Sequence, residues 1–102
     1  MKSLLLLSTF GLLLHSGAAL ADDDLYKTKN CFACHRVDRT TLGPSFKSIS
    51  AKYADDKTAA ASLAKKIREG TVGVWGQVPM PPQAQVTEAE AATLARWILE
   101  LK

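Results

Sequence analysis

The apolar positions of this chain follow two different rules. From Leu4 to Leu14 they run almost without a break. Beyond Ala21 they recur at helical spacing and stop at Gly and Pro. Thr58 to Glu69 carries the clearest pattern. Ala60, Leu63, Ala64 and Ile67 form an i, i+3, i+4, i+7 stripe, and Gly70 ends it. A second helix is predicted after Thr87-Glu88-Ala89-Glu90, which reads as a capping box. Leu94, Trp97, Ile98 and Leu101 form its buried face, so Trp97 reads as core. Phe46 to Ala54 is predicted helical, with Phe46, Ile49, Ser50 and Tyr53 on one side. Asp24 to Asn30 is a short helix with an acidic residue at its electropositive start. Leu42-Gly43-Pro44-Ser45 is a turn, and Thr71 to Pro82 is a Gly/Pro-rich loop. No strand signal, repeat or low-complexity tract interrupts this series. The predicted class is all-α, with about four short helices.

The first apolar run has a different meaning. Lys2 precedes it, Ala19-Leu20-Ala21 follows, and Asp22-Asp23-Asp24 comes at once. Charge, apolar stretch and small-x-small site in that order read as a secretory signal peptide cleaved after Ala21. The run is shorter than the ~20 residues of a membrane span. No later segment reaches that length, so residues 22–102 are expected to form one domain with no stable membrane insertion.

Composition narrows the partners. The formal net charge of +3 falls by one when Lys2 is removed. Acidic residues gather at Asp22–Asp24 and Asp55–Asp56, and no basic stripe with interleaved aromatics exists to bind nucleic acid. A domain this short buries too little apolar surface to offset its chain entropy comfortably. A large apolar prosthetic group would add to its core.

Cys31-Phe32-Ala33-Cys34-His35 points to that group. Cys-x-x-Cys-His is the attachment motif of c-type haem. Two thiols at this spacing can each add to one vinyl group of a porphyrin, and the next histidine can ligate the iron. A structural zinc site would need a further pair of ligands. A thioredoxin-like dithiol would need a βαβ setting. Neither is present in the sequence. Attachment of c-type haem takes place outside the cytoplasm, in agreement with the leader, and in a bacterium the destination is the periplasm. Both cysteines are thereby committed, so no disulfide is expected.

Cleavage after Ala21 removes His15 and leaves His35 and Met80 as the one histidine and one methionine of the domain. Met80 lies in Val78-Pro79-Met80-Pro81-Pro82. The prolines fix φ and remove backbone donors, so the segment is stiff and non-helical. Core methionines usually sit on periodic elements, where they fill gaps. A thioether held between prolines fits a sixth iron ligand better, and His/Met is an established haem ligation.

With these motifs in place, the chain resembles the class I cytochromes c, specifically the short bacterial c-551/c-552 type. The resemblance spans nearly all of residues 22–102. It is carried by the haem motif, by Gly43-Pro44-Ser45-Phe46-Lys47, by Gly73-Val74-Trp75-Gly76-Gln77-Val78-Pro79-Met80-Pro81-Pro82, and by Ala95-Arg96-Trp97-Ile98-Leu99. It implies helices wrapped around one haem c, attached through Cys31 and Cys34, with first and last helices crossing. It implies iron ligation by His35 and Met80, and a Pro44 carbonyl that accepts the histidine ring N–H. It also places the Trp75 indole and Lys66 near haem propionates; loop packing and a solvated helix charge are the plainer readings. Relatives often carry Asn after Pro-Met-Pro-Pro, where this chain has Gln83.

The function implied is one-electron shuttling by a monomer between larger redox proteins, an electron donor and an electron acceptor, with no substrate turnover. Contacts would be brief. Phe32, Ala33, Pro79 and Pro81 are candidate rim residues, with Lys29, Arg36 and Arg39 for electrostatic steering. A haem enzyme or gas-binding sensor with a labile sixth ligand is the alternative of a different class. It would need a distal acid–base residue, and the domain has no second histidine for it. A module permanently bound to a larger oxidoreductase is a third reading, supported by no linker or second domain.

Overall fold

Beyond the isolated Gly11, the computed structural model describes residues 22–102. The predicted leader, residues 1–21, lies outside the described residues apart from Gly11. Four helices follow one another: α1 (Asp22–Thr28), α2 (Phe46–Lys52), α3 (Ala59–Glu69) and α4 (Glu88–Glu100). A single 3₁₀ turn, Cys31–Ala33, comes between α1 and α2. Among the described residues there is no strand; one isolated antiparallel bridge pairs Thr71 with Met80. α4 is the hub, packing against α1, α2 and most extensively α3.

The start of α4 follows from its sequence. Thr87 takes an extended conformation, its Oγ1 accepts the Glu90 N–H at 3.1 Å, and Glu90 Oε1 accepts the Thr87 N–H at 2.9 Å. Two otherwise unpaired donors are thus satisfied reciprocally. Leu94 and Ile98 are buried as predicted, while Trp97 and Leu101 are half-buried. The pattern missed Ala91 and Ala95, which are fully buried small side chains on the same helix. At its far end Ser50 of α2 supplies the closure. Its hydroxyl donates toward the carbonyls of Leu99 (3.0 Å) and Leu101 (2.7 Å), which the helix itself leaves open.

α1 runs two residues earlier than the Asp24–Asn30 predicted. Asn30 has φ 65°, a left-handed conformation that ends the helix and launches the 3₁₀ turn. α2 stops at Lys52 rather than Ala54, because the Tyr53 N–H tightens back onto Ile49 and Ala51. Ser45 caps it, accepting the Ser48 N–H at 3.1 Å. α3 begins at Ala59, preceded by Asp56, whose carboxylate accepts both the N–H and the hydroxyl of Thr58. Those two bonds hold the Asp56 carboxyl below the usual aspartate value.

Aromatic rings join α1, α2 and α4. Tyr26 stacks on Trp97 at 5.3 Å, and both meet Phe46 edge-on at 5.4 Å. Each such pair adds about 0.5–1.5 kcal/mol beyond its burial. Phe46 in turn stacks on His35 at 5.1 Å, so the core reaches the haem motif directly.

Candidate functional site

The 3₁₀ turn shapes the motif. The N–H groups of Cys34 and His35 both bond to the Cys31 carbonyl, at 3.2 and 3.0 Å. The following loop folds back on it: Thr41 Oγ1 and the Gly43 N–H donate to the Cys34 carbonyl at 2.7 and 2.8 Å. The His35 ring is 8 % exposed, and its Nδ1 lies 2.7 Å from the Pro44 carbonyl oxygen. A carbonyl can only accept, so Nδ1 carries the proton and Nε2 is the free basic nitrogen. Gly43 lies against this ring. A Cβ there would come within 2.6 Å of Cε1 and 2.9 Å of Nδ1. Burial pushes the Cys31 thiol above the usual value.

The methionine loop is closed by backbone bonds. Thr71 and Met80 exchange N–H···O=C bonds of 3.0 and 2.8 Å. Gly70, at φ 79°, both ends α3 and lets the Met80 carbonyl approach; a Cβ would meet that oxygen at 2.6 Å. The stiffness expected from prolines alone therefore has a second source in this clasp. Met80 is half-buried.

Both segments open onto one cavity of about 440 Å³. Cys31, Cys34, His35, Pro44, Lys66, Trp75 and Met80, all singled out from the sequence, line it together. Leu63 and Ile67 of α3 and Leu94 and Ile98 of α4 form further apolar wall. Among the described residues, five of the six large apolar side chains most exposed to solvent also lie on it: Leu42, Val72, Val74, Trp75 and Val78. A flat apolar body held there would cover them. The volume falls in the ~300–1,000 Å³ range of cofactor pockets. Two thiols, a basic imidazole nitrogen and a thioether are the donors that haem c uses. The residues therefore fit the group.

Sequence reasoning missed several members. Tyr53 lines the cavity, and Lys66 Nζ donates to its hydroxyl at 3.2 Å. Lys52 lies 5.4 Å from the centre of the Trp75 ring. Trp75 itself is 44 % exposed and lies on the cavity wall. Helical spacing had marked Tyr53 as inward-facing, but nothing marked Lys52. The steering charges also need correction. Lys29 is committed to Glu90 Oε2 at 3.0 Å and to the Gln85 carbonyl. Arg36 folds back onto the carbonyls of Phe32 and His35. Arg39 remains exposed, as do Phe32, Ala33, Pro79 and Pro81. The Gln83 amide donates to the Pro81 carbonyl at 2.8 Å.

Comparison with known proteins agrees with this geometry. The family model for cytochrome c matches residues 23–102. Cytochrome c-552 of Nitrosomonas europaea is 56 % identical over 90 residues, covering 88 % of this chain and 87 % of that protein. Cytochrome c-551 of Pseudomonas aeruginosa is 46 % identical, covering 98 % and 96 %. Cytochrome c-552 of Hydrogenobacter thermophilus is 47 % identical over the full length of both. The crystal structure of the Nitrosomonas europaea protein superposes with a TM-score of 0.77 at 55 % identity, covering 78 % of this chain and 99 % of that one. Four helices and no strand among the described residues, a Cys-x-x-Cys-His turn facing a methionine loop, and relatives alike over nearly their whole length place the chain in the cytochrome c family, whose members carry haem c covalently.

Proposed function

We propose that this small electron-carrier cytochrome holds its haem iron between His35 and Met80 and turns over no substrate of its own. When bound, haem c supplies a one-electron ferrous/ferric couple. The observation that carries the reading is the His35 ring. Its Nδ1 is taken by Pro44, which leaves Nε2 as the ligand atom of a residue lining the same cavity as Met80. The Pro44 carbonyl fixes the tautomer and raises the basicity of the ring. Cys31 and Cys34 would carry the thioether bonds. Lys66, the Tyr53 hydroxyl and the Trp75 indole offer donors to the propionates. The apolar walls would exclude water from a bound haem, so that little solvent would reorganise when its charge changed.

His35 and Met80 would both ligate the iron, which would leave it no open position for a substrate. Electrons would leave at the exposed rim formed by Phe32, Ala33, Pro79 and Pro81. Its partners would be a donor and an acceptor oxidoreductase met in brief encounters, with this chain monomeric. Cleavage after Ala21 would deliver residues 22–102 to the periplasm. Mass spectrometry of the protein from a periplasmic fraction checks both the cleavage site and the single haem.

Two measurements test the ligands and the role. The ferric protein should show the weak far-red sulfur-to-iron band, and Met80→Ala should abolish it. Protein-film voltammetry should give a reversible one-electron wave that peroxide, nitrite and nitric oxide leave unchanged. A sustained catalytic current from intact protein with any of them makes the chain an enzyme and sinks the carrier reading.

A further inference from the structure

Gln85 is exposed and stands outside the haem cavity, yet it is the centre of a long-range hydrogen-bonded brace. Its Nε2 donates to the Lys29 carbonyl at 3.0 Å and to Gln83 Oε1 at 2.8 Å. Lys29 answers it, with Nζ donating to the Gln85 carbonyl at 3.2 Å. Lys29 is itself held by Glu90 at 3.0 Å. On the other side, Gln83 Nε2 donates to the Pro81 carbonyl at 2.8 Å. The brace thus runs from the residues just before Cys31 to the residue just after Met80.

The need for it follows from the prolines. Pro79, Pro81 and Pro82 have no N–H to give, so the backbone donors that anchor this stretch are the N–H groups of Met80 and Gln83, beside the Met80 carbonyl that accepts from Thr71. Side-chain amides supply what the backbone lacks. The orientation of the Gln83 amide matters in particular. With Oε1 taken by Gln85, Nε2 is left for Pro81. We propose that Gln85 is a positioning residue for Met80, tying the segment that carries the thioether to the segment that carries the haem motif. The role rests on the reading that Met80 is an iron ligand.

The test is the rate at which imidazole displaces the methionine from the ferric holoprotein, followed by loss of the far-red band. Gln85→Ala removes the side chain. Gln85→Met keeps its length and removes both donors. Losing hydrogen bonds of this kind should accelerate displacement roughly three- to tenfold in both variants. Lys47→Gln breaks the exposed Lys47–Asp38 pair, far from the loop in sequence, and should displace at the wild-type rate. Unchanged rates in both Gln85 variants, or an equal acceleration in Lys47→Gln, overturn the positioning role while the wild-type band stands. A wild type without the band overturns the ligand reading, and the positioning role with it.

Discussion

Replacing Gly43 by alanine tests how tightly the histidine seat is built. The added Cβ would lie 2.6, 2.9 and 3.2 Å from Cε1, Nδ1 and Nε2 of His35. Carbon contacts are comfortable at ~3.5–4.0 Å, so ring and loop must separate by about 1 Å. Neither can give freely. Phe46 stacks on the ring at 5.1 Å and the Pro44 carbonyl holds Nδ1 at 2.7 Å. The loop is pinned by the Gly43 N–H on the Cys34 carbonyl at 2.8 Å. Overpacking of this kind costs about 1–3 kcal/mol. Stretching the His35–Pro44 bond adds about 0.5–1.5 kcal/mol. Together the expected loss is about 1.5–4.5 kcal/mol. At ~4–8 °C per kcal/mol for a domain of this size, Tm should fall by at least ~6 °C. Thermal melting of the holoprotein by circular dichroism measures it. Voltammetry should show a shifted potential, because the Nδ1–H···O bond sets the ring's basicity. A melt within ~2 °C of wild type, with the potential unmoved, refutes the argument.

Ser50→Ala leaves the carbonyls of Leu99 and Leu101 without their donor and should cost about 1–3 kcal/mol in denaturant unfolding. Leu94→Ala, at a position 1 % exposed, should cost about 2–5 kcal/mol by the same measurement; a loss under ~1 kcal/mol means the site is looser than described. The Glu90 carboxyl is held below the usual glutamate value, first by the Thr87 N–H and then by Lys29. Its stabilising contribution is therefore fully present above the ordinary glutamate value and is lost as pH falls through the lowered one. Denaturant midpoints of wild type and Glu90→Gln should differ at neutral pH and converge through that acidic window. The double variant Cys31→Ala, Cys34→Ala should show little helical circular dichroism, because so small a chain lacks the core to fold without its haem; a cooperative native-like melt contradicts this.

Much of the architecture is legible along the chain. The capping box at Thr87, the stop at Gly70 and the spacing of Leu63 and Ile67 are local signals, and the fold obeys them. The haem motif and the proline-flanked Met80 are equally local, which is why they could be read before any contact was known. What escaped depends on partners distant in sequence. Tyr26 and Val86 are buried with no periodic neighbour to reveal them. Gly43 resembles a turn residue until the imidazole is seen against it. Lys29 resembles a free surface charge until α4 brings Glu90 to it. The early end of α1 turns on one backbone angle, at Asn30.

The ring stack from Tyr26 and Trp97 through Phe46 to His35 has a consequence for the order of assembly. Tyr26 lies on the first helix and Trp97 on the last, so their contact closes a loop that spans most of residues 22–102. That closure carries a larger entropic cost than the contacts between neighbouring elements. The imidazole's aromatic backing is incomplete until it happens. A chain whose last helix has yet to dock can present its two thiols and its histidine early. It can finish the seat of that histidine only after that helix has docked.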